Sequence, residues 1–280
     1  MNREIATSSW VRMDLHLHTN RSDGRLSPDE LIERCAKAGL HYIAITDHDL
    51  APTWPCGRVE TSEGHVVDII HGVEMSGSHD GKELHLLVYF PGEMPEGFRK
   101  FCRERTLWRV GRYERARKEL GLEGVAEAND KAKAGELSLT RHHMAIALMN
   151  SGHVKTIQEA FDTLLGSDKG LFPLVNVTFV DLIKLATEAG GVTSWAHPFP
   201  GDAKNYMADF AAAGLHGVEV YRPRRTKSER KSLRRLASEH SLFVTGGSDW
   251  HGWRRDSLGA FSMSGDLAVG FIDALEGRCA

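Results

Sequence analysis

The segment Asp14-Leu15-His16-Leu17-His18 has the residue types and spacing of a metal site. Side chains alternate between the faces of a β-strand, so His16 and His18 share one face while the leucines pack on the other. Imidazole nitrogens bind borderline divalent metals, and Asp14 or Asp23 can bind directly or orient a histidine. The same pattern also fits an edge strand whose histidines face water. The metal interpretation therefore depends on whether similar residues recur downstream.

Histidines and carboxylates do recur, at the ends of later predicted strands. His85 lies inside one such strand, and the other groups follow or end one: Thr46-Asp47-His48-Asp49, Gly72-Val73-Glu74, Ala196-His197-Pro198 and Gly247-Ser248-Asp249-Trp250-His251. In a β/α barrel the carboxyl ends of the strands meet at one rim, where residues distant in sequence assemble a site. We therefore expect these side chains to converge.

Strand and helix signals alternate near both ends of the chain. Residues 11–17 indicate a buried strand, Ser27-Pro28-Asp29-Glu30 begins a helix with a capping box, and residues 42–45 indicate a second strand. The same succession of helix, turn and apolar strand returns three times, with helices that end at Gly190, at Gly214 and near His240. This repetition predicts a parallel α/β fold, closed or nearly closed into a barrel.

The middle of the chain follows a different pattern. Residues 66–70 and 83–90 indicate two more strands, but residues 96–174 show helix signals without intervening strands. We therefore expect a discontinuous barrel, formed by residues 11–95 and 175–280, with a helical insertion over 96–174.

The start of this insertion, residues 98–120, is strongly basic. A solvated helix face is the usual explanation of such a run, and steering of a nucleotide or RNA end toward the rim is the functional alternative. Its Trp108 and Tyr113 can stack on a base or pack in the core. A second group of candidates for phosphate contact follows the strand that ends at Tyr221: Arg222, Arg224 and Arg225.

Composition narrows the class of protein. The chain has 280 residues, 41% of them hydrophobic and 26% charged, and a net charge of −3, which argues against a generally basic nucleic-acid binder. Any basic surface must therefore be local. Its cysteines are Cys35, Cys56, Cys102 and Cys279, whose wide spacing suggests neither a zinc knuckle nor a disulfide framework. Without an apolar signal segment or membrane span, we expect a cytoplasmic protein.

Taken together, the ordered motifs resemble the PHP (polymerase and histidinol phosphatase) family of metal-dependent phosphoesterases. The resemblance implies a distorted seven-stranded barrel with a trinuclear centre of divalent metal ions, either manganese, iron or zinc. Its implied ligands are His16, His18, Asp23, His48, Glu74, His85, His197, Asp249 and His251. Glu74 and Asp249 would bridge metals and hold the attacking hydroxide, and Asp14 would support the ligands.

Within that family, Thr140-Arg141-His142-His143-Met144-Ala145 resembles a segment of enzymes that remove the 3′-phosphate from 3′,5′-bisphosphonucleosides. The run from Phe161 to Phe172 is similar to the segment that follows in those enzymes. The resemblance therefore implies that Arg141, His143 and Lys169 contact the phosphates of the substrate.

The expected activity is hydrolysis of a small nucleotide phosphomonoester by a metal-bridging hydroxide, with 3′,5′-bisphosphonucleosides as the leading substrate. Clustered metals suit this reaction because they acidify water and neutralise charge on the phosphoryl oxygens. One alternative is a 5′-to-3′ exoribonuclease that uses the same metals on short RNA. Another is a non-catalytic, metal-stabilised binding module. No membrane or obligate protein partner is evident from the sequence.

Overall fold

The structure is a computed structural model, and it describes residues 6–122, 126–166, 169–253 and 257–277. Cys279 lies outside these residues. The strands are β1 Arg12–Leu17, β2 Tyr42–Ile45, β3 Gly57–Glu60, β4 Val66–His79, β5 Lys82–Phe90, β6 Val192–Trp195, β7 Gly217–Tyr221, β8 Phe243–Gly246 and β9 Met263–Ser264.

The helices are α1 Pro28–Lys37, α2 Glu96–Glu119, α3 Ala126–Ala134, α4 Arg141–Asn150, α5 Ile157–Ala160, α6 Phe179–Glu188, α7 Pro200–Ala212, α8 Lys227–Glu239 and α9 Val269–Glu276. None of the helices in the described part of the chain combines the length and the hydropathy needed to cross a membrane. Helix α1 begins as expected, since Ser27 caps it and Glu30 completes the capping box.

One sheet curls into a nearly closed barrel, as the sequence predicted. Its strands follow the order β8-β7-β6-β5-β4-β2-β1-β9, and β3 pairs with β4 outside this path. The gap between β8 and β1 is bridged just beyond β8, where Asp249 N donates to His16 O at 2.9 Å and His18 N donates to Trp250 O at 3.0 Å. The barrel strands are therefore the expected seven: β1, β2 and β4 to β8.

Strand β5 departs from the predicted parallel arrangement, because it runs antiparallel to both β4 and β6. The cause is the two-residue turn Asp80-Gly81, where both residues have positive φ angles of 47° and 71°. A two-residue turn of this kind connects only antiparallel strands. Strand β4 also continues past Glu74 to His79, so Glu74 lies inside a strand and not at its end. His85 accordingly reaches the rim from the amino-terminal part of β5.

Helix α2 connects the barrel to the helices of the middle segment. Its Phe98 and Cys102 belong to the apolar cluster that α6, α7 and α8 form against the barrel strands. Further along the same helix, Val110 and Tyr113 belong to a second cluster, shared with α4 and α5. This helix thus fixes the position of the middle segment relative to the rim.

The close approach of β8 to β1 gives a testable prediction. A Cβ atom at Gly247 would lie 2.2 Å from His16 Cβ, whereas one at Gly111, in the middle of α2, would have open space around it. We expect Gly247→Ala to lower the free energy of unfolding by about 1–3 kcal/mol, because the seam must open. Gly111→Ala should leave stability equal or raise it, since alanine is the better helix former. Thermal melts of both variants test this, and a Gly247→Ala protein as stable as the wild type would contradict it.

Candidate metal centre

The structure brings all nine expected ligands to one end of the barrel, although they come from six separate parts of the chain. They lie on β1 and the loop after it, after β2, in β4, in β5, after β6 and after β8. In this order they are His16, His18, Asp23, His48, Glu74, His85, His197, Asp249 and His251.

Glu74 is at the centre of this group and is buried. Its Oε2 lies 3.1 Å from His48 Nδ1 and 3.3 Å from the Nε2 atoms of His16 and His18. Its Oε1 lies 3.0 Å from both His85 Nδ1 and His197 Nε2. One carboxylate therefore contacts five imidazole rings.

Two aspartates extend the group on either side. Asp249 Oδ1 lies 3.5 Å from His16 Nε2 and 3.4 Å from His18 Nε2. Asp23 lies 3.3 Å from His251 Nε2 and 3.6 Å from His48 Nε2. The donor atoms form three groups, each compact enough for one ion: His18, Asp23, His48 and His251; His16, His18 and Asp249; and His48, Glu74 and His85.

Several of these donor atoms are buried and make no hydrogen bond to any described residue, although carboxylate oxygens lie close to them. They are His16 Nε2, both ring nitrogens of His18, His48 Nδ1 and Asp23 Oδ1. Unsatisfied buried polar atoms are costly, and they are rare enough in folded proteins to need an explanation. Their concentration at one point, with mixed nitrogen and oxygen donors, fits divalent ions such as manganese, iron or zinc.

The local electrostatics keep the carboxylates ionised. Burial raises the pKa of Glu74, but the adjacent His16, His85 and His48 outweigh it and hold that pKa well below its usual range. Asp23 and Asp249 are shifted in the same direction, again because neighbouring imidazoles outweigh burial. All three carboxylates are thus negatively charged at neutral pH and suited to bind cations.

A cavity of about 1000 Å³ opens directly onto these residues. Asp23, His48, His85, Asp249 and His251 form one wall. The middle segment supplies much of the remaining lining, including Arg109, Arg112, Arg141, Phe161 and Phe172. The volume of the cavity lies at the upper end of the range for small-molecule sites.

Comparison with known proteins agrees with this geometry. The sequence profile of the PHP domain matches residues 14–166, which is more than half of the chain. The chain belongs to the PHP domain family. Six of the nine expected ligands lie inside the matched range, and the structure adds the remaining three, which are His197, Asp249 and His251.

Proteins similar to this chain differ in their named activities. The chain is 31% identical over 260 residues to a 5′-3′ exoribonuclease of Haemophilus influenzae, covering 86% of this chain and 92% of that protein. It is 30% identical over 260 residues to a 3′,5′-nucleoside bisphosphate phosphatase of Chromobacterium violaceum, covering 86% and 87%. A proposed metal-dependent phosphoesterase from Bifidobacterium adolescentis superposes with a TM-score of 0.77 at 27% identity, covering 95% and 96%. The PHP protein is therefore a hydrolase of phosphate esters.

The structure also reveals Glu219, which sequence reasoning missed. This residue of β7 is fully buried, its Oε1 lies 2.9 Å from His16 Nδ1, and its Oε2 accepts a hydrogen bond of 2.8 Å from His197 N. A carboxylate behind a ligating histidine fixes the ring orientation and raises its basicity. The available signal was a single acidic residue inside the apolar strand Gly217–Tyr221.

Two other carboxylates of the PHP domain hold the loops of the rim. Asp14 Oδ1 accepts hydrogen bonds from Ser248 N at 2.8 Å and His16 N at 3.4 Å, and burial raises the pKa of Asp14 to about 7. Asp47 accepts from Thr19 N and Oγ1 and from Ser22 Oγ, which orders the turn that carries Asp23. The supporting position expected for Asp14 agrees with this geometry.

Two of the expected ligands have left-handed backbone conformations. The φ angles are 35° at His197 and 54° at Asp249. Such conformations are uncommon for residues other than glycine and cluster at functional sites. Both residues point a side chain at the central group, with His197 Nε2 3.0 Å from Glu74 and Asp249 Oδ1 3.4 Å from His18.

The three residues expected to contact substrate phosphates lie in different surroundings. Arg141 lines the cavity. His143 instead completes the capping box of α4, where its Nδ1 accepts a hydrogen bond of 3.1 Å from Thr140 N, and burial lowers its pKa to about 4. Lys169 is exposed and is not among the described residues of the cavity wall. Arg222 and Arg224, the second group of candidates for phosphate contact, line the cavity together with Asp249.

Three arginines of the basic segment are buried, so this part of α2 is not a solvated helix face. Arg109 Nε donates to Asp49 Oδ2 at 2.5 Å, Arg112 Nη2 to Glu83 Oε2 at 2.8 Å and Arg105 Nη1 to Asn176 Oδ1 at 2.6 Å. These contacts hold α2 against the rim, and Arg109 and Arg112 also line the cavity beside the candidate metal centre. The guanidinium groups of Arg105 and Arg112 also lie 4.7 and 5.3 Å from the centre of the Trp108 ring.

Removal of the carboxylate behind His16 gives the second prediction. We expect Glu219→Gln to weaken metal binding and hydrolysis by about 10- to 100-fold, because an amide neither fixes nor polarises the imidazole as a carboxylate does. Metal titration by calorimetry and phosphate-release assays measure both effects. Glu60→Gln, in the exposed edge strand β3, is the matched control and should leave both unchanged. Equal behaviour of the two variants would refute the role of Glu219.

The third prediction concerns the buried ion pair of α2. Arg109→Ala leaves the buried Asp49 carboxylate without its partner, so we expect a loss of about 3–5 kcal/mol in the free energy of unfolding. Arg115→Ala, at an exposed position of the same helix, should change stability by less than about 0.5 kcal/mol. Urea denaturation of both variants is the measurement. If Arg109→Ala unfolded at the wild-type urea concentration, the ion pair would have no structural role.

Proposed function

We propose that this PHP-domain hydrolase removes the 3′-phosphate from 3′,5′-bisphosphonucleosides. The observation that carries the proposal is one cavity in which three features meet. Residues of the candidate metal centre line it, Arg141, Arg222 and Arg224 add positive charge, and aromatic side chains of the middle segment add apolar surface. A nucleotide with two phosphates needs all three: a reacting end, a cationic contact for the second phosphate and an apolar surface for the base.

The name of the Chromobacterium violaceum relative supports this choice of substrate. The Haemophilus influenzae relative supports the second candidate, 5′-to-3′ hydrolysis of short RNA at the same centre. Both substrates present a phosphate ester at the end of a nucleotide, so one centre serves either reaction. The two substrates differ in length, because a short RNA extends beyond the cavity and needs further contacts there.

In this proposal the nine ring and carboxylate ligands would hold up to three divalent ions, with Glu74 and Asp249 as the carboxylates that would hold the attacking hydroxide with them. The bound ions supply Lewis acidity at the phosphoryl oxygens and lower the pKa of a water molecule. Glu219 fixes the His16 ring from behind. Arg222 donates a hydrogen bond of 2.9 Å to Asp249 Oδ2, and both residues line the cavity.

We also propose that residues 96–174 form a unit that covers the substrate bound to the barrel of residues 11–95 and 175–280. Its helices share an apolar cluster of their own, which includes Tyr113, Met144 and Leu165. The same segment supplies Arg141 and two phenylalanines to the cavity. A cover of this kind excludes water from the reacting phosphate, which strengthens the electrostatic contacts inside.

Metal removal and ligand substitution test the proposed function together. Manganese-loaded protein should release phosphate from 3′,5′-bisphosphoadenosine, a chelator should abolish the release, and added metal should restore it. His16→Ala should lower the rate by more than about 100-fold, beyond the loss typical of a supporting residue. His153→Ala, at an exposed histidine that does not line the cavity, should keep the wild-type rate. Full activity in a rigorously metal-free preparation would refute the proposal.

A further inference from the structure

Helix α8 presents a row of basic side chains on the outside of the barrel. Its Lys227, Lys231 and Arg234 are exposed, and Arg230 is half-buried beside them. Positions i, i+3, i+4 and i+7 lie on one face of a helix, so these four cations form a stripe about 10 Å long at 1.5 Å per residue. The opposite face packs against the barrel through Leu233, Leu236 and Ala237.

The stripe is not neutralised by its own helix. Glu229 caps the helix by accepting from Thr226 N and Oγ1, and Glu239 pairs with Arg235 at 2.5 Å. Among the described residues, no carboxylate oxygen lies within 4 Å of the basic nitrogens of Lys227, Arg230, Lys231 or Arg234. Like charges at i and i+4 destabilise a helix, and the chain as a whole has a net charge of −3. The positive charge is thus local and uncompensated.

These cations line a groove of about 440 Å³ together with Arg235 and the half-buried Tyr221. Tyr221 is the last residue of β7, two positions after the buried Glu219 that supports His16. The groove therefore begins at the barrel edge that carries the candidate metal centre. An aromatic ring beside a positive groove is the arrangement by which proteins bind single-stranded nucleic acids.

The loop between β7 and α8 connects this groove to the cavity. Arg222 contacts Asp249 and lines the cavity together with Arg224. Arg225 Nη2 donates to Pro198 O at 3.0 Å, which places the loop beside Phe199, an aromatic residue that is 74% exposed. Positive charge therefore continues from the centre across the rim to α8.

We propose that the α8 groove binds the sugar-phosphate backbone of single-stranded RNA whose terminal phosphate lies in the cavity. This rests on the proposed phosphoesterase function and adds the contact that distinguishes a polynucleotide from a mononucleotide. The concave shape and the connection to the cavity favour a strand over a membrane surface, which would contact a flat basic and apolar face. The central arginines of α2 are buried, whereas Lys227, Lys231 and Arg234 of α8 are exposed on the outside of the barrel.

A charge-reversal pair with a matched control tests the groove. The test variant is Lys231→Glu/Arg234→Glu, and the control is Arg115→Glu/Lys118→Glu, two exposed cations of α2 with the same spacing and the same change in charge. Binding of the manganese-loaded enzyme to a short, fluorescent, phosphorothioate-linked oligoadenylate is measured by anisotropy at several salt concentrations. Phosphate release from 3′,5′-bisphosphoadenosine is measured in parallel, and thermal melts verify folding.

We expect the α8 pair to raise the Kd for the oligoadenylate at least about tenfold and to reduce the slope of log K against log salt by about 1.4, because each single-strand phosphate contact contributes about 0.7. Its turnover of 3′,5′-bisphosphoadenosine should stay at the wild-type level, and the control pair should bind the oligoadenylate like the wild type.

The proposal is overturned if the α8 pair binds the oligoadenylate normally, if both pairs weaken binding equally, or if turnover of the mononucleotide falls in parallel. It is also overturned if the α8 pair loses binding to phosphatidylserine vesicles and keeps binding to RNA. Absence of phosphate release by the wild type would refute the proposed function alone, since the anisotropy difference would still support the groove.

Discussion

The structure depends on one buried carboxylate that is surrounded by imidazole rings. Glu74 lies within 3.3 Å of ring nitrogens from five histidines. Two of these histidines lie in β1 and β5, and the other three follow β1, β2 and β6. Apolar packing cannot satisfy these atoms, and several of them have no hydrogen-bond partner among the described residues. The seam at Gly247, the β4–β5 hairpin and the buried Glu219 all serve to keep this group assembled.

Much of this arrangement follows from local patterns in the sequence. The alternation around His16 and His18 places two ligands on one face of β1, and strand ends bring His48 and Asp249 to the same rim. The position of His85 has a different origin, because the Asp80-Gly81 turn reverses β5 and brings its amino-terminal part to the rim. Sequence patterns therefore located β4 and β5 as strands, whereas the direction of β5 depends on the turn that joins it to β4.

Residues that act through long-range contacts could not be predicted in the same way. Arg109 looks like one of many surface cations of a basic helix, and only the packing of α2 against the rim pairs it with Asp49. Glu219 is 203 residues from His16 in the chain. His143 matches a family segment, yet its ring caps α4. Tertiary contacts decide these roles, and they bring Arg109 and Arg112 of α2 to the same cavity as Arg222.

The central claim is that the buried ligand group around Glu74 holds a cluster of divalent ions. Anomalous diffraction from crystals of the manganese-loaded enzyme, combined with the metal content of the same preparation, tests it most directly. We expect three anomalous peaks around Glu74, each about 2.0–2.2 Å from nitrogen or oxygen atoms of the nine ligands. An active, metal-loaded enzyme whose anomalous peaks lie away from Glu74 would contradict it.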